Sequence, residues 1–131
     1  MSGKKLVAII TLGVLILAIL IFIITGLWIG SDVRRYCKKA RTIYGGNCVS
    51  ALSDLVNDTS MPYRDRNHAI WALGQLGDSK ALPYITKFYT GRIQAAENPD
   101  AALSQRELDK ALRLMQGGTN ISAVIWRHNI N

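Results

Sequence analysis

The feature that most constrains this chain is the run from Leu6 to Ile29, 24 residues rich in Leu and Ile without one charged side chain. As a helix such a run rises about 36 Å, more than the roughly 30 Å hydrocarbon core of a bilayer. A cleaved secretory signal has a shorter apolar stretch and small residues before its cut. Here the run ends Thr25-Gly26-Leu27-Trp28-Ile29-Gly30-Ser31, with no small-x-small site. A lipoprotein signal needs a cysteine directly after the apolar stretch, yet Cys37 stands behind Arg34-Arg35-Tyr36. A buried core helix is rarely apolar on every face over this length. The reading is an uncleaved single-pass anchor in residues 1–30, with Trp28 at the aromatic interface level. Gly13 and Gly26 are not spaced as GxxxG, so no helix-dimerisation motif is expected in the run.

Charge is concentrated beside the anchor. The chain carries 16 Lys/Arg against 9 Asp/Glu, a net +7. Lys4 and Lys5 precede the run, and Arg34, Arg35, Lys38, Lys39 and Arg41 follow it against Asp32 alone. Beyond Thr42 nine cations face eight anions, so the high isoelectric point belongs to a basic collar. Such a collar suits anionic headgroups and topology determination. Nucleic acid is not implied, because no basic stripe interleaves with aromatics. Orientation stays open: the count of cations favours a cytoplasmic domain, whereas Lys-Lys ahead of an apolar run suits a signal-anchor that sends the domain across.

Residues 31–131 read as one all-α domain of about three antiparallel helical hairpins. Ser31 or Asp32 can cap a helix with Val33, Tyr36, Cys37, Ala40 and Tyr44 on one stripe, broken by Gly45-Gly46. A second helix carries Val49, Leu52 and Val56. Pro62 opens a third with Ala69, Ala72, Leu73 and Leu76 aligned. Gly77-Asp78 turns into a fourth with Leu82, Ile85 and Tyr89, where Pro83 is tolerated in the first turn. After the polar stretch Thr90–Asp100, Ser104-Gln105-Arg106-Glu107 reads as a capping box with Leu103 and Leu108 as its staple. The fifth helix aligns Leu108, Ala111, Leu112 and Met115; Gly117-Gly118 ends it, and Ile121, Val124 and Ile125 mark a last amphipathic helix. Breaks at Gly46, Gly77 and Gly118 recur at 31 and 41 residues, the spacing of stacked helix–turn–helix units in an α-solenoid.

The middle unit, Arg66 to Ile85, resembles a HEAT-type repeat of the short variety associated with phycobilin lyases. The residues that carry the resemblance are Ala72, Leu73, Gly74, Leu76, Gly77, Asp78, Ala81, Leu82 and Pro83. Ala72 and Gly74 allow close helix approach, Gly77 supplies the turn and Asp78 caps the next helix. The chain also resembles small membrane-anchored HEAT-repeat proteins of bacteria, a resemblance that brings no activity with it.

Catalytic and metal chemistry find little support. His68 precedes Ala69 and His128 precedes Asn129, so the His-Glu pairs of di-iron HEAT-type enzymes are absent, and no metal or cofactor is implied. Cys37 and Cys48 leave two readings. Regular helix geometry puts Cys37 about 10 Å up its helix from the turn, which favours a buried free thiol. A hairpin bent around Gly45-Gly46 on an oxidising side would instead permit a disulfide. Asn57-Asp58-Thr59 and Asn120-Ile121-Ser122 match glycosylation acceptors but sit where capping is the expected role. Tyr63, Trp71, Tyr84, Phe88 and Tyr89 read as packing before recognition. The expected function is a non-enzymatic interaction scaffold held at the bilayer through Leu6 to Ile29, with an unidentified protein partner and an open oligomeric state. A bilin-lyase-like enzyme is the alternative implied by the repeat subtype. A third reading makes the helix Leu6–Ile29 itself the element that stabilises a larger assembly.

Overall fold

One uninterrupted helix, α1 (Gly3–Tyr44), carries both the apolar run and the first face of the domain. The computed structural model describes residues 1–128 and 130. At 42 residues α1 is about 63 Å long. None of its apolar window, of mean hydropathy 3.4, is buried, and this is the one helix among the described residues long and apolar enough to cross a membrane. Further along, Gly26, Gly30, Val33, Cys37 and Ala40 are buried in a stripe of period near 3.5, the face onto which the rest of the chain folds.

The expected cap at Ser31 or Asp32 is therefore not made. Nothing between Ile29 and Val33 breaks a helix, and Asp32 pairs instead with Arg35 three residues on, at 3.0 Å. α1 runs through residue 30 without a break, and Gly26 and Gly30 are buried along it.

Three further helices build the core. α2 (Cys48–Asn57) and α3 (Tyr63–Leu76) pack on each other and on α1, and α5 (Gln105–Met115) packs on α3. Their inward residues Leu52, Val56, Ile70, Leu73 and Leu108 are essentially inaccessible. The stripe expected for α5, Leu108, Ala111, Leu112 and Met115, is its buried face. Gly74 lies where α3 and α5 approach most closely: a Cβ there would stand 2.8 Å from the Ala111 Cα. Gly77 ends α3 with φ of 65°, a left-handed cap that side chains resist.

The second members of the later hairpins are much reduced. α4 (Leu82–Ile85) is a single turn between two 3-10 turns, Ser79–Ala81 and Thr86–Phe88. Asp78 caps this segment by accepting from the Lys80 amide at 2.9 Å, and Pro83 lies in its first turn. The last helix, α6 (Ala123–Trp126), is also one turn and lies against α1, not beyond α5. What the structure establishes is an all-helical domain wrapped on α1, without strands among the described residues.

The two cysteines correct a sequence expectation. Cys37 and Cys48 are joined as a disulfide with Cα atoms 5.1 Å apart, so the free-thiol reading does not hold. The reason is the turn. Gly45 and Gly46 adopt φ of 73° and 71°, and the Gly46 carbonyl accepts from Arg41 Nε at 3.0 Å. The chain thus doubles back beside α1 at once, and Cys48, first residue of α2, arrives level with Cys37. Asn47 caps α2 by accepting from the Ser50 amide at 2.9 Å.

Candidate functional site

The five cations of the collar differ in what they meet. Arg34 donates to the Trp126 carbonyl at 3.2 Å, tying α1 to the end of α6. Arg35 pairs with Asp32 and stands 5.2 Å from the centre of the Tyr36 ring. Lys39 meets Asp65 of α3 at 2.8 Å, and Arg41 holds the Gly46 turn. Lys38 lines a surface hollow beside the disulfide with no ion-pair partner among the described residues. Four of the five cations therefore work partly inside the fold.

Beside this collar lies an open cleft of about 660 Å³, bounded by α1, α3, the Glu97–Pro99 segment and the start of α5. Its aromatic wall is Tyr36, His68 and Trp71: the Tyr36 and His68 ring centres are 4.7 Å apart, and Trp71 meets Tyr36 edge-on at 6.2 Å. Burial, more than any neighbouring charge, lowers the His68 pKa below its ordinary value, partly opposed by Asp65.

The opposite wall is a hydrogen-bonded frame. Asn67, 5 % exposed, donates to the Pro99 and Ala102 carbonyls at 2.9 Å each and accepts from the Ser104 amide at 2.8 Å. Glu97 sits on the start of α5, accepting from the Gln105 amide at 3.0 Å and from the Ser104 hydroxyl. Arg64 forks onto Asp100 at 2.8 and 3.0 Å. Arg106 donates to the Gln94 and Ala95 carbonyls. The expected capping box is half made: Ser104 accepts from the Glu107 amide at 3.1 Å, but Glu107 turns to Lys110 and Glu97 takes the role of the second cap.

This arrangement frames the cleft with hydrogen bonds. The Ser104 hydroxyl donates to Glu97 and accepts from the Glu107 amide. No group of three or more His, Cys, Asp or Glu side chains converges among the described residues. His128 lies apart, its Nε2 2.8 Å from the Val124 carbonyl oxygen. The residues of the repeat-like segment are structural: Ala72, Leu73 and Ala81 are buried, and Leu76 and Leu82 pack against the core. Of the aromatic set, Trp71, Phe88 and Tyr89 pack on the core while Tyr63 and Tyr84 are exposed. Asn57 and Asn120 are engaged: Asn57 donates to the Ser53 carbonyl, and Asn120 to Gln75 Oε1 at 2.8 Å.

Sequence reasoning missed the most specific contact in this region. Gly26 and Gly30 are four apart, the spacing of a GxxxG pair, and they receive α6 of the same chain. A Cβ on Gly26 would lie 2.5 Å from Ile125 Cδ1, and one on Gly30 would lie 2.3 Å from Trp126 Cβ. The signal was legible, but the second glycine falls one residue past the apolar run. Comparison with protein-family models, with curated proteins and with solved structures gives no match.

Proposed function

We propose that the chain is a membrane-anchored, non-enzymatic helical module that presents the face bounded by Tyr36, His68 and Trp71 to a protein partner. The observation that carries this is α1: an unburied, span-length apolar segment continues without a break into the helix that forms the domain's own core. The frame of satisfied hydrogen bonds around the cleft supports a rigid binding surface in preference to a reaction centre. The packing of Gly74 on Ala111, the Gly77 cap and the Asp78 cap support a HEAT-like ancestry for the middle hairpin.

The Cys37–Cys48 bond favours one orientation. Disulfides persist on oxidising sides of membranes and are rare in the cytosol, so the domain belongs on the exported face with Lys4 and Lys5 behind. That outweighs the modest excess of cations after the anchor, four of which have partners in the fold. Two measurements on intact cells test the reading. A C-terminal tag should be reached by an impermeant reagent, and alkaline carbonate should leave the chain with the membrane. A carbonate-soluble chain refutes the anchor; a tag shielded until the cells are broken refutes the orientation. Partner binding is checked by crosslinking from a photoreactive residue at His68, which should give a reproducible adduct that Trp71→Ala abolishes.

A further inference from the structure

The turn Ile121–Trp126 hangs from the domain by both ends. Before it, Asn120 donates to Gln75 Oε1 at 2.8 Å; after it, Arg127 donates to the Gln75 carbonyl at 2.7 Å. Between these tethers the chain reaches the end of the apolar run, with Ile125 against Gly26 and Trp126 against Gly30. It then climbs α1, since Arg34 binds the Trp126 carbonyl and Ile130 lines the hollow beside Cys37. Ala123 and Trp126 are spent on the contact with α1, which leaves Ile121 and Val124 pointing outward, each 67 % exposed. These are the most exposed large apolar side chains after α1 among the described residues.

Depth follows from helix rise. Gly26 lies three residues, about 4.5 Å of rise, inside the end of the run at Ile29. The run exceeds the hydrocarbon core by about 6 Å, which puts Gly26 near the boundary of acyl chains and headgroups. Amphipathic interfacial segments bury their apolar side about 5–10 Å into that zone. Arg34 and Arg127 flank the turn on the side away from the run, at the level where anionic headgroups attract cations.

We propose that the turn Ile121–Trp126 is a second membrane contact, with Ile121 and Val124 inserted among the acyl chains of the same leaflet that α1 enters. This rests on the reading of α1 as a span. The wedge fixes the rotation of the domain about α1, because one face of the domain must then stay against the lipid.

The test uses the full chain in vesicles of phosphatidylcholine and phosphatidylglycerol. An environment-sensitive fluorophore is placed singly at Val124→Cys, at Leu15→Cys within the run, and at Arg92→Cys on the loop, with the native disulfide intact. The Val124 probe should behave like the Leu15 probe: blue-shifted, quenched by nitroxide on the acyl chains, and lost to aqueous iodide. The Arg92 probe should show the reverse. Iodide quenching at Val124 equal to that at Arg92, with Leu15 protected, overturns the wedge and leaves the anchor standing. Iodide access at Leu15 overturns both. Protection of Val124 from iodide and from lipid nitroxide alike means that protein covers the turn, and this too overturns the proposal.

Discussion

Replacing Gly30 by Ala sets two effects of known size against each other. Gly30 is internal to α1, where Ala is preferred over Gly by about 1 kcal/mol. Taken alone, helix propensity predicts stabilisation. The added methyl, however, would stand 2.3 Å from Trp126 Cβ and 2.8 Å from its Cγ. Those atoms sit next to the backbone of α6 and cannot swing aside. Trp126 is 1 % exposed, and a buried Trp removes about 150–250 Å² from water. At about 25 cal/mol per Å² its full release costs about 4–6 kcal/mol, an upper bound because the unfolded chain is already partly compact. Packing wins by several kcal/mol, and the loss falls on α6 first, since Trp126 is the side chain that the added methyl meets.

The expected outcome is a destabilised α6 on an intact α1. Hydrogen exchange of the full chain in detergent should show residues 123–127 losing protection while α3 and α5 keep theirs. The contrast with Gly26 sharpens the test. A methyl there meets Ile125 Cδ1 at 2.5 Å, the far end of a flexible side chain, so Gly26→Ala should cost much less. In a Trp126→Gly background the obstructing atoms are gone, and Gly30→Ala should then stabilise by about 1 kcal/mol. Unchanged or increased protection of α6 in the single Gly30→Ala chain would refute the packing argument.

Further outcomes follow from the frame around the core. Reducing the Cys37–Cys48 bond, or replacing both residues by Ser, opens a loop of sequence separation 11 and should cost about 3 kcal/mol by loss of cross-link entropy; thermal unfolding with and without reductant reads it, and identical curves reject the bridge. Asn67→Ala removes three hydrogen bonds to a buried side chain and should cost about 2–3 kcal/mol, with faster proteolysis of the 90–104 segment as the readout. His68 has a pKa lowered mainly by burial, so its contribution is fully present above the ordinary value of about 6.5 and is lost as pH falls through the lower folded value. The unfolding midpoint should therefore drop between neutral and mildly acidic pH, and His68→Gln should flatten that slope; an unaltered slope rejects His68 as its source.

What the sequence disclosed and what it hid divide along sequence distance. The stripes of α3 and α5, the Gly77 turn and the Asp78 cap are local patterns, and each appears as read. The disulfide was obscured by an assumption of regular geometry, which the two positive-φ glycines break within two residues. Glu97 caps a helix that begins eight residues later, and Asn67 braces carbonyls more than thirty residues away. No local rule announces such partners. The fourth and sixth helices, marked in the sequence by apolar spacing, are one turn each.

The continuity of α1 decides what kind of display this is. A domain joined to its anchor by a flexible linker samples many heights and orientations, and its partner meets it at an effective concentration set by linker length. Here the stripe Gly26, Gly30, Val33, Cys37 and Ala40 belongs both to the anchor's helix and to the domain's core. The Arg34 bond to Trp126 clamps one side of that helix, and the Lys39–Asp65 pair spans from it to α3. The first core contact at Gly26 falls inside the apolar run itself, so the domain's packing and the apolar run overlap along about one turn of helix. If α1 spans the bilayer as proposed, folding of the domain and seating of the anchor are coupled: a change that loosens α6 alters how the helix sits in lipid, and a change in bilayer thickness bears on α6. On the proposed reading of α1 as a span, a partner would meet a surface held at fixed height above the bilayer, with the entropy of orientation already spent when the chain folds.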